Sequence, residues 1–177
     1  MTLAFALLVR ESIPFPSGES LGEIYALWKP VPSITRLLFS FIAGFLATLI
    51  LHQLTLAVLW VAGMAPLAPF STDATQPFGV PAVLSLAFWG GVWEIMYGLI
   101  DGSFPRGAYW VMALLFGAIL PSLVALMVVL PLKGHPMGGG WHPPLLLTAF
   151  LVNGAWGIGT GLFLRTLSDR FSGLHHS

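Results

Sequence analysis

Apolar residues in this chain fall into four long runs, set apart by short clusters of Pro, Gly and charge. The first runs from about Arg36 to Met64, the second from Pro81 to Asp101, the third from about Ala108 to Leu132 and the fourth from about Pro144 to Leu164. A hydrocarbon core about 30 Å thick takes about 20 helical residues, so each run is long enough to cross it. The pattern predicts an all-α integral membrane protein, a four-transmembrane-helix bundle. Pro121 falls inside the third run, where neighbouring helices can satisfy the carbonyl it frees, and a kink is expected there. The stretches Ala65–Gly79, DGSFPRG and KGHPMGGGWHPP are rich in turn-forming residues and read as the connecting loops.

Ahead of the first run, Met1 to Val9 is apolar but too short to span, and no positive region precedes it as a signal peptide would require. It reads as a stretch lying on the membrane surface. Arg10 and Glu11 end it and Pro14 and Pro16 break it, after which Leu21, Ile24, Tyr25 and Trp28 share one helical face. The organisation expected is therefore an N-terminal interfacial segment over 1–33, a four-span domain over 34–165 and a cytoplasmic tail over 166–177.

Each run carries a ridge of small or polar residues at i, i+4 spacing. These are Ser40, Gly44, Thr48 and His52; Gly90, Glu94 and Gly98; Ala113, Gly117, Pro121 and Ala125; and Ala149, Asn153, Gly157 and Gly161. Small residues let helices approach closely in lipid, so Gly44, Gly90, Gly98, Gly117, Gly157 and Gly161 are read as helix-packing positions. The second and fourth runs also share a signature, G-[VA]-W-x-I-x-x-G-L, in which Gly91 to Leu99 aligns with Gly154 to Leu162. A weaker match sets Ala43–Leu46 against Phe116–Ile119 through Gly44 and Gly117. Two helical hairpins of one orientation, a parallel repeat, would produce it, and so would the recurrence of Gly, Trp and Leu through composition alone.

Composition agrees with a bilayer setting. The chain of 177 residues is 56% hydrophobic and 8% charged, with mean hydropathy +0.88, where a soluble domain carries about 25% charged residues. Seven Lys and Arg against seven Asp and Glu leave no basic stripe for a nucleic acid, and the absence of cysteine excludes disulfides and thiolate chemistry. Arg10, Lys29, Arg36, Arg106, Arg165 and Arg170 fall on one side of the predicted spans and Lys133 on the other, which places both termini in the cytoplasm of a bacterial cell, with the chain in its cytoplasmic membrane. Trp60, Trp110 and Trp141 suit an interfacial belt, whereas Trp89, Trp93 and Trp156 lie within runs and read as packing or cavity-lining groups.

Candidate chemistry centres on Glu94, the one acidic residue inside a run. A charged carboxylate there costs roughly 2.5–3.5 kcal/mol on insertion scales, so it must face protein or water, or stay protonated. His52, Gln53 and Asn153 are the other polar residues at depth. Counted along their helices, His52 and Asn153 share a level, and Glu94 lies about 6–9 Å nearer the cytoplasm, a gap that water, Gln53 or Thr48 can bridge. His135, His142 and Asp73 in the outer loops make only a weak metal motif, one embedded histidine does not make a bis-histidine haem site, and no cofactor is expected. HExxH, GxSxG and phosphate-loop motifs are lacking, and the glycines of GIGTG read as packing, so the chain is not expected to be an enzyme. Two functions fit: a structural or accessory subunit of a larger membrane complex, associating with other subunits or with itself, or a small oligomeric transporter or channel coupled to protons or cations through Glu94.

Overall fold

The computed structural model describes residues 34–174. The expected surface segment 1–33 and the last residues of the tail lie outside the described residues. Within them are four helices long and apolar enough to cross a membrane: α1 (Ile34–Val61), α2 (Ala82–Ile100), α3 (Tyr109–Leu132) and α4 (Pro143–Leu174). The bounds lie within three residues of the expected ones at seven of the eight ends. The exception is the C-terminus of α4, which continues as helix through the polar residues after Leu164 because nothing between Arg165 and Leu174 breaks it.

The helices begin and end where local chemistry requires. Pro81 and Pro105 sit in extended backbone just ahead of α2 and of the short turn that opens α3, as expected of a residue with fixed φ and no N–H. α1 and α3 end alike. Gly63 (φ 72°) and Gly134 (φ 78°) adopt the left-handed conformation. Met64 N then donates to Leu59 O at 2.8 Å and His135 N to Leu130 O at 3.0 Å, closing the last turn as glycine caps do.

Between these ends α1 and α3 each hold one widened π turn, Thr48–His52 and Ala125–Val129. Such turns arise where the regular i→i−4 ladder is disturbed. In α1 the Gly44 carbonyl accepts from Thr48 Oγ1 at 2.9 Å and from Trp156 Nε1 of α4 at 3.0 Å. In α3, Pro121 has no N–H to offer the preceding turn.

Packing runs through the small-residue ridges. α1 lies closely against α2, α3 against α4, and α1 also against α4, whereas the backbones of α2 and α3 meet only briefly. At the α1–α2 contact a Cβ added to Gly44 would come within 2.4 Å of Gly90 O and 2.6 Å of Glu94 Cβ. At the α3–α4 contact a Cβ added to Gly117 would come within 2.5 Å of Asn153 O and 2.8 Å of Gly157 Cα. Under the sequence alignment Gly90 corresponds to Asn153 and Glu94 to Gly157, so the two crossings use the same positions. Aromatic rings join α2 to α3 instead: Phe116 lies 4.9 Å from Tyr97 and 6.1 Å from Trp93, centroid to centroid.

α2 has 19 residues against 28 in α1, a difference of about 13 Å at 1.5 Å per residue. Arg36 and Asp101 join the start of α1 to the end of α2, so α1 projects beyond α2 at its other end. The connection between them carries a small antiparallel hairpin, β1 (Ala74–Thr75) with β2 (Val80–Pro81). It is therefore more ordered than the plain exposed loop read from composition.

Because a methyl at Gly44 or Gly117 meets opposing backbone, Gly44→Ala and Gly117→Ala should each destabilise the purified protein by about 1–3 kcal/mol. Gly107→Ala, where nothing lies within 4 Å, should change stability by no more than about 0.5 kcal/mol. Unfolding curves in detergent check this ranking.

Candidate functional site

Glu94 sits at the α1–α2 crossing, on the turn after Gly90 and before Gly98, with 0% of its surface exposed. α1 supplies Gly44 on one side, and the small glycine surface is what lets the helices close over the carboxyl. Neither carboxyl oxygen has a hydrogen-bond partner. The Thr160 hydroxyl of α4 stands beside the carboxyl, but it donates to Gly157 O at 2.8 Å. A hydroxyl rotates to suit its acceptors, so the same proton can also serve the carboxyl.

Ser40, one turn before Gly44, is also fully buried, and its hydroxyl lacks a partner. A Cβ on Gly98 would lie 2.6 Å from Ser40 Oγ. The serine oxygen therefore rests on the same α2 face, one turn below Glu94. Tyr97, 1% exposed, stacks on Phe104 with ring centroids 6.2 Å apart and reaches Tyr109 O at 3.4 Å.

The other polar residues named from the sequence are buried or half-buried but held in separate ties. Gln53 Oε1 accepts from Phe70 N at 2.6 Å, and its amide group lies 3.4 Å from His52 Nδ1. Asn153 Nδ2 donates to Ser122 Oγ at 3.0 Å, and Ser122 donates to Ala149 O at 3.0 Å. Thr48 donates to Gly44 O. The expected bridge from Glu94 through Thr48 or Gln53 is therefore not formed, since both side chains are engaged with backbone.

Gln53 also lies about 12 Å short of Val61, by helical rise, yet it bonds to a loop residue. The loop after α1 folds down beside the helix to the level where α2 begins, with Val83 N bonded to Ser71 O and Ala82 N to Asp73 O. Gln53 is consequently a loop-anchoring group near the start of α2, with His52 beside its amide. Trp156 is 2% exposed and buried as expected, but Trp89 is 56% exposed and lies on the outside of the helices.

Where α1 starts and α2 ends, Arg36 Nη2 donates to both Asp101 oxygens at 2.6 Å. Arg165 lies over the rings of Tyr109 and Trp110, at 4.4 and 5.1 Å from their centroids. Sequence reasoning placed these arginines but not their partners. Antiparallel counting from the Gly44–Glu94 contact would have brought Arg36 to within a residue of Asp101. Ser40 appeared only as a ridge position and Thr160 did not stand out, because a hydroxyl one turn from glycine carries no signal until the facing helix is known. Among the described residues no group of three or more His, Cys, Asp or Glu is placed to hold a metal ion. His135 and His142 are exposed.

Comparison with protein-family models, with curated proteins and with solved structures finds no match to this chain.

Gln53→Leu leaves the Phe70 amide without its acceptor, and the loss of a buried partner costs about 1–3 kcal/mol. Hydrogen exchange across Leu67–Asp73 should accelerate, with the α1–α2 crossing unchanged. Arg36→Ala strands a carboxylate that is 7% exposed and should destabilise more than Asp101→Asn, which removes the charge itself. Thermal unfolding of the two variants in detergent gives the order.

Proposed function

We propose that this chain is a small integral membrane protein of the bacterial cytoplasmic membrane that serves as a structural or accessory subunit of a larger membrane complex. In this reading the four helices cross the bilayer as a compact bundle of two parallel-related hairpins. Both termini are cytoplasmic, and the outer apolar surface meets lipid, neighbouring subunits or a second copy. The observation that carries it is how the interior polar groups are used. Gln53 ties α1 to its loop, Asn153 and Ser122 tie α3 to α4, and Trp156 ties α4 to α1. Hydrogen bonds of this kind hold helices together in lipid. The apolar exterior supports the reading too, with Leu38, Trp89, Leu99, Val111 and Leu162 all exposed.

One observation favours the second reading, a transporter or channel coupled through Glu94. Its two carboxyl oxygens are buried without partners, and an intramembrane ionisable residue is by default a functional position. Gentle detergent extraction from the native membrane, with native gel electrophoresis and mass spectrometry of the band, separates the two. An accessory subunit should migrate with a much larger complex, and Glu94→Gln should preserve that assembly. A lone small oligomer that loses proton or cation flux in liposomes on Glu94→Gln would overturn the accessory reading in favour of the transporter.

A further inference from the structure

The connection from α1 to α2 lies beside a step between the two helices. At 1.5 Å per residue α1 is about 42 Å long and α2 about 28 Å. These lengths are close to the full thickness of a bilayer, about 40–45 Å, and to that of its hydrocarbon core, about 30 Å. With the start of α1 joined to the end of α2, the step spans the edge of the hydrocarbon at the other end. Three bonds pin the connection there, from Phe70 N to Gln53 Oε1, Val83 N to Ser71 O and Ala82 N to Asp73 O. The hairpin is closed on itself, with Gly79 N bonded to Thr75 O and Thr75 Oγ1 to Val80 O, each at 2.8 Å. Its turn carries Phe78, 87% exposed. Even fully extended, the chain from Phe78 to Ala82 reaches only about 13–14 Å, so the ring cannot rise beyond the end of α1. Leu67 and Phe70 of the same connection are exposed too, and Asp73 is its one charged residue. Exposed apolar groups gathered in this way mark contact with a membrane or a protein. The step favours the membrane, because aromatic rings collect at the headgroup level and Trp60, exposed in the last turn of α1, belongs to the same layer.

We propose that the 65–81 connection is an interfacial anchor, with its backbone and Asp73 among the lipid headgroups and the Phe78 ring in the adjoining acyl chains. Irregular backbone exposed to lipid is not tolerated within the hydrocarbon. The hairpin therefore stays at the boundary, and only the side chain crosses it. Because the connection is bonded to both α1 and α2, holding it at one level limits how far that pair can slide or tilt in the bilayer. The anchor rests on the reading in which the four helices cross a bilayer, and it holds whether the chain is an accessory subunit or a transporter.

The chain has no cysteine, so a nitroxide can be attached at a single introduced one. Phe78→Cys, Leu120→Cys and His135→Cys, all at exposed positions, are labelled in the full chain and reconstituted into phosphatidylcholine vesicles. Collision with oxygen, which concentrates in acyl chains, against collision with a water-soluble nickel chelate gives the depth of each label. Leu120, midway along α3, should be deepest, and His135 should meet the chelate. The label at 78 should favour oxygen and read about 5–10 Å into the headgroup and acyl boundary, the depth of an interfacial apolar face. A label at 78 as open to the chelate as that at 135, with 120 still deep, would overturn the anchor and leave the membrane reading standing. Chelate reaching 120 as well would overturn both. Shielding of 78 from both reagents would put protein over the ring, a second copy or another subunit, and overturn the lipid assignment. If the label disturbs the hairpin, Phe78→Trp decides the same question. Its added emission should be quenched by brominated acyl chains and not by aqueous iodide, and the reverse would overturn the proposal.

Discussion

Contact between helix backbones at the glycine crossings is the constraint on which the rest depends. At Gly44 and Gly90 there is no room for a side chain on either helix. That closeness seals Glu94 from solvent and exposes the Gly44 carbonyl to Trp156 of α4. Lipid tails are as apolar as the helix surfaces, so in a bilayer helices gain little from hiding apolar groups and depend on fit and on interhelical hydrogen bonds. The Trp156 bond supplies the second term at the place where glycine supplies the first. Its cost is local, a widened turn in α1 directly beyond Gly44.

The two hairpins share this device but differ in what surrounds it. Ala43 and Ala47 of α1 are fully buried, and a Cβ on Gly159 of α4 would lie 3.2 Å from Ala47 Cβ. Carried across the repeat, Ala43 becomes Phe116, Ala47 becomes Leu120 and Gly159 becomes Met96. Met96 and Leu120 are exposed there, and Phe116 meets α2 through the Trp93 and Tyr97 rings. A shared crossing with divergent flanks is what duplication followed by specialisation would leave. In both pairs the equivalent glycine, Gly44 or Gly117, meets the equivalent carbonyl, that of Gly90 or Asn153.

Most of the helical layout was legible in the sequence because length and apolarity are local properties. The ridges were legible for the same reason, and Ser40, Gly44, Thr48 and His52 are all buried as their spacing implies. Depth was harder to read. Counting from the ends of one run cannot show that α2 starts about 13 Å below the end of α1, so nothing in the run itself reveals that the partner of Gln53 is Phe70 of the loop. Trp89 illustrates a related limit. Every face of an apolar helix looks alike in sequence, and only the neighbouring helices decide which tryptophan is enclosed.

Glu94 marks where local pattern stops carrying information, since its meaning depends on what the facing helices present. A carboxyl among spare donors would be a simple helix tie, like Asn153 with Ser122. Here Thr48 and Trp156 are both committed to one carbonyl, so the glycine contact that encloses the acid leaves it the Thr160 hydroxyl of α4 as a neighbouring donor. Closer packing at Gly44 therefore makes the carboxyl harder to satisfy from within the chain. An acid held in this way contributes to stability only when it is neutralised, by a proton or by an ion. The strength of the α1–α2 crossing is then linked to the charge that Glu94 carries.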